Sequence, residues 1–372
     1  MPFTVMPFFN VNVGGIVVCI NWDGFPQYGA RCVRALVEKM PEERFVVVAM
    51  RPQVPVRGME ELAGCPVVWV RPDERGGVAE VCGDTPSLMI VAGWFSPLYN
   101  RWRDEVRTSG GQTICTCDNN LNAQGIRSYI IEVLKAVRFR LFYRNKYDLF
   151  FVPGKSGRRL MRFYGVPNDR IVEGLYGADE TVFFNGPPIT KRPKRMIYVG
   201  QLCERKNVMR LCEAFVLANE SGDWTLDLYG CGPLESALKE YVDEKSNGRI
   251  SVHPFAQPED LAVKYREARL FCLPSFREHW GLVVHEAALS GCVLLLSNRV
   301  GAAEDLFRPI GVRNGNGLSF NPYDVQTMTK TFQSAMALTD DQLIEAQNTS
   351  CYLARAFGPA RFASAVESML RN

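Results

Sequence analysis

The sequence predicts two doubly wound α/β domains, each Rossmann-like, that face one another across a cleft. Three observations support this fold class. The 372 residues exceed the length of one ordinary domain. Short apolar runs alternate with amphipathic helical patterns through both halves, which implies parallel sheets with right-handed crossovers. A stretch rich in proline and charge lies between the halves. Because ligands of such folds bind beyond the carboxyl ends of the strands, the cleft is the expected site.

Apolar runs in the first half predict the strands of the N-terminal sheet. Their continuous Val, Ile and Leu character is typical of strands that helices cover on both faces. These runs are residues 15–21, 45–50, 67–70, 88–92, 113–117 and 149–152. The patterns between them predict helices over residues 30–39, 97–107, 126–144 and 157–164.

The second half repeats this rhythm more sharply. Its predicted strands are residues 195–200, 225–229, 250–254, 270–273, 293–297 and 318–320. Its predicted helices are residues 208–218, 234–244, 259–268, 282–289 and 325–337, with a last helix over 360–370. The alternation again indicates a parallel sheet between two layers of helices.

The aperiodic run 186–193, which is rich in proline and charge, has the composition of a linker. We therefore divide the chain into an N-terminal domain (1–185), a linker (186–194) and a C-terminal domain (195–357). Residues 358–372 hold the last helix, which we expect to pack back on the N-terminal domain.

Composition excludes several classes of function. A net charge of +3 is too small for a general nucleic-acid binder. The first twelve residues lack the features of a signal peptide, and no apolar run reaches the roughly 18 residues of a membrane span. The twelve cysteines then indicate a reducing compartment, and we expect the cytoplasm. Their spacing, with only three histidines, matches no zinc site, so we expect no bound metal.

The segment 273–291 is the most informative part of the chain, because a predicted strand, a polar loop and a helix follow one another. A helix that begins near Gly281 directs unpaired amides into the cleft, where they favour a diphosphate. Helical side chains lean toward the N-terminus, so Glu286 can reach back to a pair of ribose hydroxyls. Glu278 on the loop suits sugar hydroxyls. The alternative is that both glutamates are solvated surface acids.

The residues around the two glutamates form a pattern that is similar to a known family motif. Glu278 and Glu286 are separated by seven residues, with Pro274-Ser275 before them and Glu-Ala-x-x-x-Gly, which ends at Gly291, after. This pattern resembles the donor motif of family 4 glycosyltransferases, which are retaining enzymes with the GT-B fold. Further stretches resemble family landmarks in the right order: residues 200–207, 230–233, 300–306 and 316–318. The resemblance spans about 195–324.

The resemblance implies the activity. It is transfer of a hexose-type sugar from a UDP- or GDP-linked donor to an acceptor hydroxyl, without a further cofactor. Arg205 and Lys206 correspond to the basic residues that the family sets against the pyrophosphate, and Leu282 joins Gly281 in the donor site. For Lys206 the alternative is a solvated lysine at a helix start. Gln201 stands where the family often has arginine, and Ala302 where it has glycine.

The N-terminal half resembles the family more loosely. Gly29 resembles the glycine at the helix start that faces the donor phosphates. Asp118, after the fifth strand, is the residue we expect closest to the acceptor chemistry; its alternative role is a helix N-cap. We therefore assign catalysis to Asp118, Lys206 and Glu278, and donor binding to the residues Gly29, Arg205, Lys206, Gly281, Leu282 and Glu286.

The predicted helix 127–146 is basic and amphipathic. Such a helix suits an anionic membrane surface, at the inner face of the membrane, and many relatives act on lipid-linked acceptors. The alternative is an ordinary half-buried helix with a cationic solvent face. Saccharide and lipid-linked acceptors both fit the resemblance, as does a role in bacterial polysaccharide or glycoconjugate synthesis.

The chain contains no Asp-x-Asp, so the sequence offers no ligands for a metal-clamped diphosphate. We therefore expect metal-independent transfer. The rival functions are a nucleotide-sugar epimerase or phosphorylase on the same fold, and a non-catalytic nucleotide-sugar-binding subunit. A nicotinamide dehydrogenase is poorly supported, because neither half has Gly-x-Gly-x-x-Gly after its first strand.

Overall fold

Two parallel sheets form the centres of the two halves of the chain. The computed structural model describes residues 16–51, 58–121, 123 and 125–371. Within these ranges each sheet lies between layers of helices, which confirms the two predicted Rossmann-like α/β domains. Residues 1–15 lie outside the described residues. They include the predicted start of the first strand and the first twelve residues, which lack the features of a signal peptide.

The N-terminal sheet has the strand order β3-β2-β1-β4-β5-β6-β7. Its strands are β1 (Val17–Asp23), β2 (Arg44–Met50), β3 (Val67–Val70), β4 (Leu88–Ala92), β5 (Gln112–Thr116), β6 (Leu149–Val152) and β7 (Ile171–Glu173). Its helices are α1 (Gln27–Lys39), α2 (Met59–Ala63), α3 (Val78–Cys82), α4 (Pro97–Thr108), α5 (Gly125–Phe142) and α6 (Lys155–Phe163). The chain reverses its direction of winding between β1 and β4, so the crevice of this domain opens there.

The C-terminal sheet has the order β10-β9-β8-β11-β12-β13. Its strands are β8 (Arg195–Val199), β9 (Thr225–Tyr229), β10 (Ile250–His253), β11 (Leu270–Leu273), β12 (Val293–Ser297) and β13 (Gly317–Phe320). The helices that follow are α7 (Val208–Ala218), α8 (Glu235–Lys245), α9 (Pro258–Glu267), α10 (Leu282–Leu289), α11 (Ala303–Leu306), α12 (Val325–Met336), α13 (Asp340–Ala354) and α14 (Pro359–Arg371). The switch of direction here lies between β8 and β11.

Among the described residues, the strand β7 and the helices α2, α3 and α13 were not predicted, and α11 was expected only from the family resemblance at residues 300–306. The strand β7 and the helices α2 and α3 are too short to establish a period. The longer α13 buries several small and polar side chains, including Ala346, Gln347 and Ser350, so its core face lacks an apolar signature. Its start at Thr339 is nevertheless marked by a capping box with Gln342.

The segment predicted as a linker is ordered. Residues Ile189–Lys191 form a 3₁₀-helix, and the Arg192 side chain is buried. Its guanidinium donates hydrogen bonds to the carbonyl oxygens of Pro187, Ala268 and Ser290, at about 3.0 Å each. These bonds satisfy the buried cation and fix the segment against the C-terminal domain.

The last helix, α14, crosses back and packs on α1 of the N-terminal domain. Phe362 contacts Phe151 with ring centroids 5.6 Å apart, and Lys39 pairs with Glu367 at 3.1 Å. No helix among the described residues is long and apolar enough to cross a membrane.

His285 joins the two segments that cross between the domains. Its Nδ1 accepts a hydrogen bond from the Ala178 amide at 2.9 Å, and its Nε2 lies 2.9 Å from the Ala354 carbonyl oxygen. A ring that accepts at Nδ1 and donates at Nε2 is a neutral imidazole. Burial accordingly lowers the pKa of His285 to about 4.

Candidate active site

Two adjoining pockets lie in the cleft between the sheets. The inner pocket, of about 270 Å³, lies on the N-terminal domain at the ends of β1, β4 and β5. The outer pocket, of about 590 Å³, lies between the domains and is lined by the loop before α10. Asp118 and Tyr28 line both pockets, so the two form one continuous site at the facing switch points.

Contacts across the cleft hold the two domains close together. The Asn120 side-chain amide donates to the Glu278 carbonyl oxygen at 2.8 Å. Asp305 of the C-terminal domain accepts from the Lys155 amide of the N-terminal domain at 3.2 Å, and the Trp280 indole of its own domain donates to it at 3.2 Å. The site is therefore enclosed by both domains and is not a surface groove of one of them.

Glu278 lines the outer pocket and forms a buried ion pair with Lys206, which itself does not line the pocket. Lys206 ends the 3₁₀-helix Glu204–Lys206 after β8, and Glu278 lies on the loop after β11. The same carboxylate oxygen, Oε2, accepts a hydrogen bond from the Ser275 hydroxyl at 3.0 Å. Arg205 lies 3.7 Å from it. The alternatives of a solvated lysine and a solvated loop acid are therefore wrong, because both side chains are buried.

The start of α10 has the predicted form. Gly281 precedes the helix with a φ of +96°, and the first bond of the turn runs from the Val284 amide to the Gly281 carbonyl oxygen at 2.9 Å. A Cβ on Gly281 would lie 3.0 Å from Cγ of Glu278, so only glycine fits both the backbone and the space. Gly281 and Leu282 line the outer pocket, toward which the positive end of the helix dipole therefore points.

Glu286 lies one turn further along α10 and is partly buried. Its Oε2 accepts a hydrogen bond from the Tyr265 hydroxyl at 3.0 Å, and burial raises the pKa of Glu286 to about 7. Burial raises the pKa of Tyr28, which lines the cleft, and the charge of Glu286 adds a smaller part of that rise. The alternative of an exposed helix acid is therefore wrong. Glu286 is a desolvated carboxyl group that does not line either pocket.

Asp118 follows β5 and is half exposed in the cleft. Its carboxylate lies 3.8 Å from Nδ1 of His279, which belongs to the other domain. Burial lowers the pKa of His279, and the Asp118 charge opposes that shift. The alternative role of Asp118 as an N-cap is wrong, because α5 begins only at Gly125.

Gly29 lies inside α1, not at its first residue, because the helix begins at Gln27. A Cβ there would meet the rings of Phe25 and Trp22 at 3.1 and 3.2 Å. Gly29 is buried by these rings and does not line either pocket, whereas its neighbour Tyr28 lines both. Contact between Gly29 and donor phosphates stays a prediction.

Several residues of the site were not predicted. They are the pocket-lining side chains Asn21, Asp23, Tyr28, Trp94, Phe95, Tyr176, Arg277 and His279. Many follow directly after a strand, so the rule that ligands bind at the carboxyl ends of parallel strands would have identified them. No group of three or more His, Cys, Asp or Glu side chains that could hold a metal ion occurs among the described residues.

Helix α5 differs from an ordinary half-buried helix. Only Ala136 and Phe139 of its 18 residues are buried. Its large apolar side chains instead face solvent, with Ile126 at 78%, Leu134 at 63% and Leu141 at 72% exposure. The interpretation of this helix as half-buried with a cationic solvent face is therefore wrong.

Comparison with known proteins identifies the C-terminal half. Residues 179–349 match the family model described as Glycosyl transferases group 1. The D-inositol 3-phosphate glycosyltransferase of Corynebacterium kroppenstedtii is 25% identical over 230 residues, which are 56% of this chain and 50% of that protein. The O-antigen chain mannosyltransferase B of Escherichia coli is 27% identical over 187 residues, 47% of each chain. The chain thus spans about half the length of these curated relatives.

Solved structures match the whole architecture. Anabaena HepE, in complex with UDP and glucose, aligns over 96% of this chain and 99% of its own with a TM-score of 0.73 at 13% identity. Sucrose-phosphate synthase from Thermosynechococcus elongatus aligns over 96% and 98% with a TM-score of 0.71 at 15% identity. Residues 179–349 therefore match the Glycosyl transferases group 1 model, and the two Rossmann-like domains have the GT-B fold of these solved structures.

Proposed function

We propose that this chain is a retaining, metal-independent glycosyltransferase, which moves a hexose-type sugar from a nucleotide diphosphate to an acceptor hydroxyl. The observation that carries the proposal is the outer pocket. There the Lys206–Glu278 pair and the start of α10 at Gly281 lie opposite Asp118 of the other domain. Cationic groups and free amides suit a diphosphate, and carboxylates suit sugar hydroxyls.

Each donor group has a proposed partner. The α10 amides and Arg205 hold the diphosphate, and Lys206 adds charge from beneath the pocket. The hydrogen bonds from Lys206 and Ser275 both use Oε2 of Glu278, so Oε1 is the oxygen through which Glu278 accepts a sugar hydroxyl. Glu286, in its ionised form, accepts from the ribose hydroxyls.

The proposed reaction breaks the bond between the anomeric carbon and the phosphate oxygen of the donor. The acceptor oxygen forms the new bond on the same face, and its proton passes to a phosphate oxygen of the leaving diphosphate. Negative charge grows on that diphosphate in the transition state, where a well-placed donor contributes about 3 kcal/mol. The positive groups of the outer pocket lie where this charge develops.

Three further features of the proposal rest on the family resemblance and the named relatives. Retention of anomeric configuration follows from the donor motif around Glu278 and Glu286. A UDP-linked donor agrees with HepE, which was solved with UDP, and a GDP-linked donor rests on the family resemblance alone. A role in polysaccharide or glycoconjugate synthesis agrees with the O-antigen mannosyltransferase.

A binding panel tests the donor class first. UDP, GDP and ADP sugars are compared by the rise in melting temperature that each produces, and the best donor is then used in transfer assays with excess chelator. We expect undiminished turnover with chelator, and a loss of about a hundredfold for Lys206→Ala. The matched control is Lys194→Ala, which removes an exposed lysine paired with Asp223. An absolute requirement for manganese, or equal activity of both variants, would refute this account.

We also propose that α5 rests on an anionic membrane surface, where a lipid-linked acceptor would be presented. The exposed apolar side chains of α5 are accompanied by exposed Arg127, Lys135 and Arg138. The helix α6 contacts α5 through the rings of Phe163 and Tyr129, 6.1 Å apart, and Phe163 lines a surface pocket together with Lys155 and Arg162. Apolar insertion combined with positive charge is the pattern of interfacial helices.

Vesicle flotation tests this contact. The wild-type chain should float with phosphatidylglycerol vesicles and much less with phosphatidylcholine vesicles. Leu134→Glu together with Leu141→Glu should abolish flotation, whereas Leu217→Glu on α7, also an exposed leucine, should not. Failure of the wild-type chain to float with either vesicle would exclude the membrane contact.

A further inference from the structure

The inner pocket differs in charge from the outer one. Asn21 and Asp23 at the end of β1 and Asp118 after β5 bring polar groups into it. No lysine, arginine or histidine occurs among the described residues that line it. The cleft cations Arg205 and Arg277 line the outer pocket instead. The cations of the cleft therefore lie only on the outer pocket, where Glu278 and Asp118 accompany them, whereas the charged side chains that line the inner pocket are all carboxylates.

Asn21, Asp23 and Asp118 bring acceptor oxygens to the inner pocket, beside hydroxyl groups that can both donate and accept. Asn21 is 1% exposed, and its Oδ1 has no hydrogen-bond partner among the described residues. Its amide nitrogen lies 3.4 Å from the Val48 carbonyl oxygen, so a flipped side chain would set two oxygens against each other. An unpaired buried oxygen is costly, and a ligand donor would satisfy it.

The apolar walls of the inner pocket are aromatic. Trp94 is buried and is held by Phe139, with ring centroids 4.9 Å apart. Phe95 extends this wall to the rim, with its ring 5.1 Å from Trp94 and 70% exposed. Flat apolar faces beside a few placed polar groups are the usual lining of a small-molecule site.

We propose that the inner pocket binds the reacting ring of the acceptor and selects an uncharged ring that bears several hydroxyls. This inference rests on the proposed glycosyltransferase function. Hydroxyls donate to Asp23, Asp118 and Asn21, while the faces of the ring contact Trp94 and Phe95. A phosphate or carboxylate on the same ring offers only acceptor oxygens. It would lie against two carboxylates without a cation, so the pocket rejects it.

The same separation of charge orients the donor. A nucleotide sugar entering the cleft is repelled from the inner pocket at its diphosphate end and attracted by Arg205 and the α10 amides. The sugar of the donor therefore points toward Asp118, which lies at the junction of the two pockets, next to the proposed position of the acceptor ring. The carboxylates of Asp23 and Asp118 thus have two effects. They exclude anionic acceptors, and they prevent the donor from binding with its diphosphate in the inner pocket.

Matched pairs of rings test the selection directly. Methyl α-D-mannoside and methyl α-D-glucoside are each compared with their 6-phosphates, in the presence of saturating UDP. Binding is followed by the fluorescence of the pocket tryptophans, Trp22 and Trp94. We expect each phosphate to bind at least tenfold more weakly than its neutral partner. Asp23→Asn should weaken the neutral rings about tenfold while leaving the affinity for UDP unchanged.

A charge reversal provides the sharper variant. Asp23→Lys should bind the 6-phosphates better than the neutral rings, because it places a cation where the wild type has a carboxylate. Asp73→Asn, an exposed aspartate outside the pocket, is the matched control and should change neither ring nor UDP binding.

The outcomes separate this inference from the proposed function. A chain that binds no nucleotide diphosphate and hydrolyses no nucleotide sugar would refute the function itself. A chain that binds UDP but prefers the phosphorylated rings would overturn the inference alone. It would also be overturned if no neutral ring bound while UDP did, or if Asp23→Asn weakened UDP and ring binding equally.

Discussion

Lys206 and Glu278, 72 residues apart in the sequence, form a buried ion pair beneath the outer pocket. From the sequence, Lys206 was expected to contact the pyrophosphate and Glu278 the sugar hydroxyls, with no contact between the two side chains. The pairing means that neither charge is buried without compensation before a donor arrives. It also fixes the loop after β11 against the end of β8, which sets the position of Gly281 and hence the direction of α10.

The first prediction concerns the stability of this pair. Lys206→Ala should destabilise the fold by about 3 kcal/mol, because the buried Glu278 carboxylate keeps only the more distant and half-exposed Arg205 as a cation. Adding Glu278→Ala should recover part of that loss, since the double variant has no unpaired charge. Urea unfolding of the wild type, both single variants and the double variant measures the coupling. Strictly additive losses would show that the two side chains do not interact.

The second prediction uses two glycines with similar backbones. Gly281→Ala and Gly311→Ala both place a Cβ at a positive φ, of +96° and +104°, and each should cost about 1–2 kcal/mol of stability. Only the Gly281 Cβ meets a neighbour, Cγ of Glu278, whereas nothing lies within 4 Å of the Gly311 Cβ. UDP affinity should therefore fall for Gly281→Ala alone. UDP affinity is measured by calorimetric titration. If the two variants bound UDP equally well, the space at Gly281 would not be needed for donor binding.

Local sequence patterns predicted the bounds of the helix in the donor half well. The helix expected at residues 282–289 is α10, Leu282–Leu289, because a strand, a glycine loop and an apolar helix are all encoded within one segment. Such patterns could not predict contacts between residues that are far apart in the chain. The Lys206–Glu278 bond depends on β8 and β11 being neighbours, which the alternation of elements does not specify.

The acceptor half shows the same limit. Asn21 and Asp118 meet because β1, β4 and β5 are adjacent in the sheet, and only the sheet order reveals it. Helix α5 was predicted from its period, but periodicity does not identify what covers an apolar face. In the fold that face, including Leu134 and Leu141, is exposed.

The third prediction is a pH dependence of donor binding. Burial raises the pKa of Glu286 to about 7, and a carboxyl must be ionised to accept from both ribose hydroxyls. Affinity for a UDP sugar should therefore rise with pH through 7 and become constant above it. Glu286→Gln should remove this dependence. The hydrogen bond from Tyr265 lowers the pKa of Glu286, so Tyr265→Phe should move the midpoint upward. Identical profiles for wild type and Glu286→Gln would exclude Glu286 from ribose binding.

The fourth prediction concerns the stability of the fold in acid, where His285 and Glu286 contribute pH dependences of opposite sign to the unfolding free energy. Burial lowers the pKa of His285 from 6.5 to about 4, so its contribution is complete above pH 6.5 and is lost as the pH falls toward 4. That loss amounts to about 3 kcal/mol at its limit. Glu286 acts oppositely, because its raised pKa stabilises the fold below pH 4.5 and the effect is lost as the pH rises toward 7.

The two groups therefore offset one another in the wild type between pH 4.5 and 6.5. Glu286→Gln removes one of them, so its unfolding free energy should rise with pH more steeply than that of the wild type over this range. His285→Asn should show the reverse, a free energy that falls as the pH rises. Urea unfolding at several pH values measures both slopes, with Glu345→Gln, an exposed helix acid, as the control. If Glu286→Gln and the wild type had the same slope, the carboxyl of Glu286 would have to titrate at its ordinary pKa, and the pH dependence of donor binding would lose its physical cause as well.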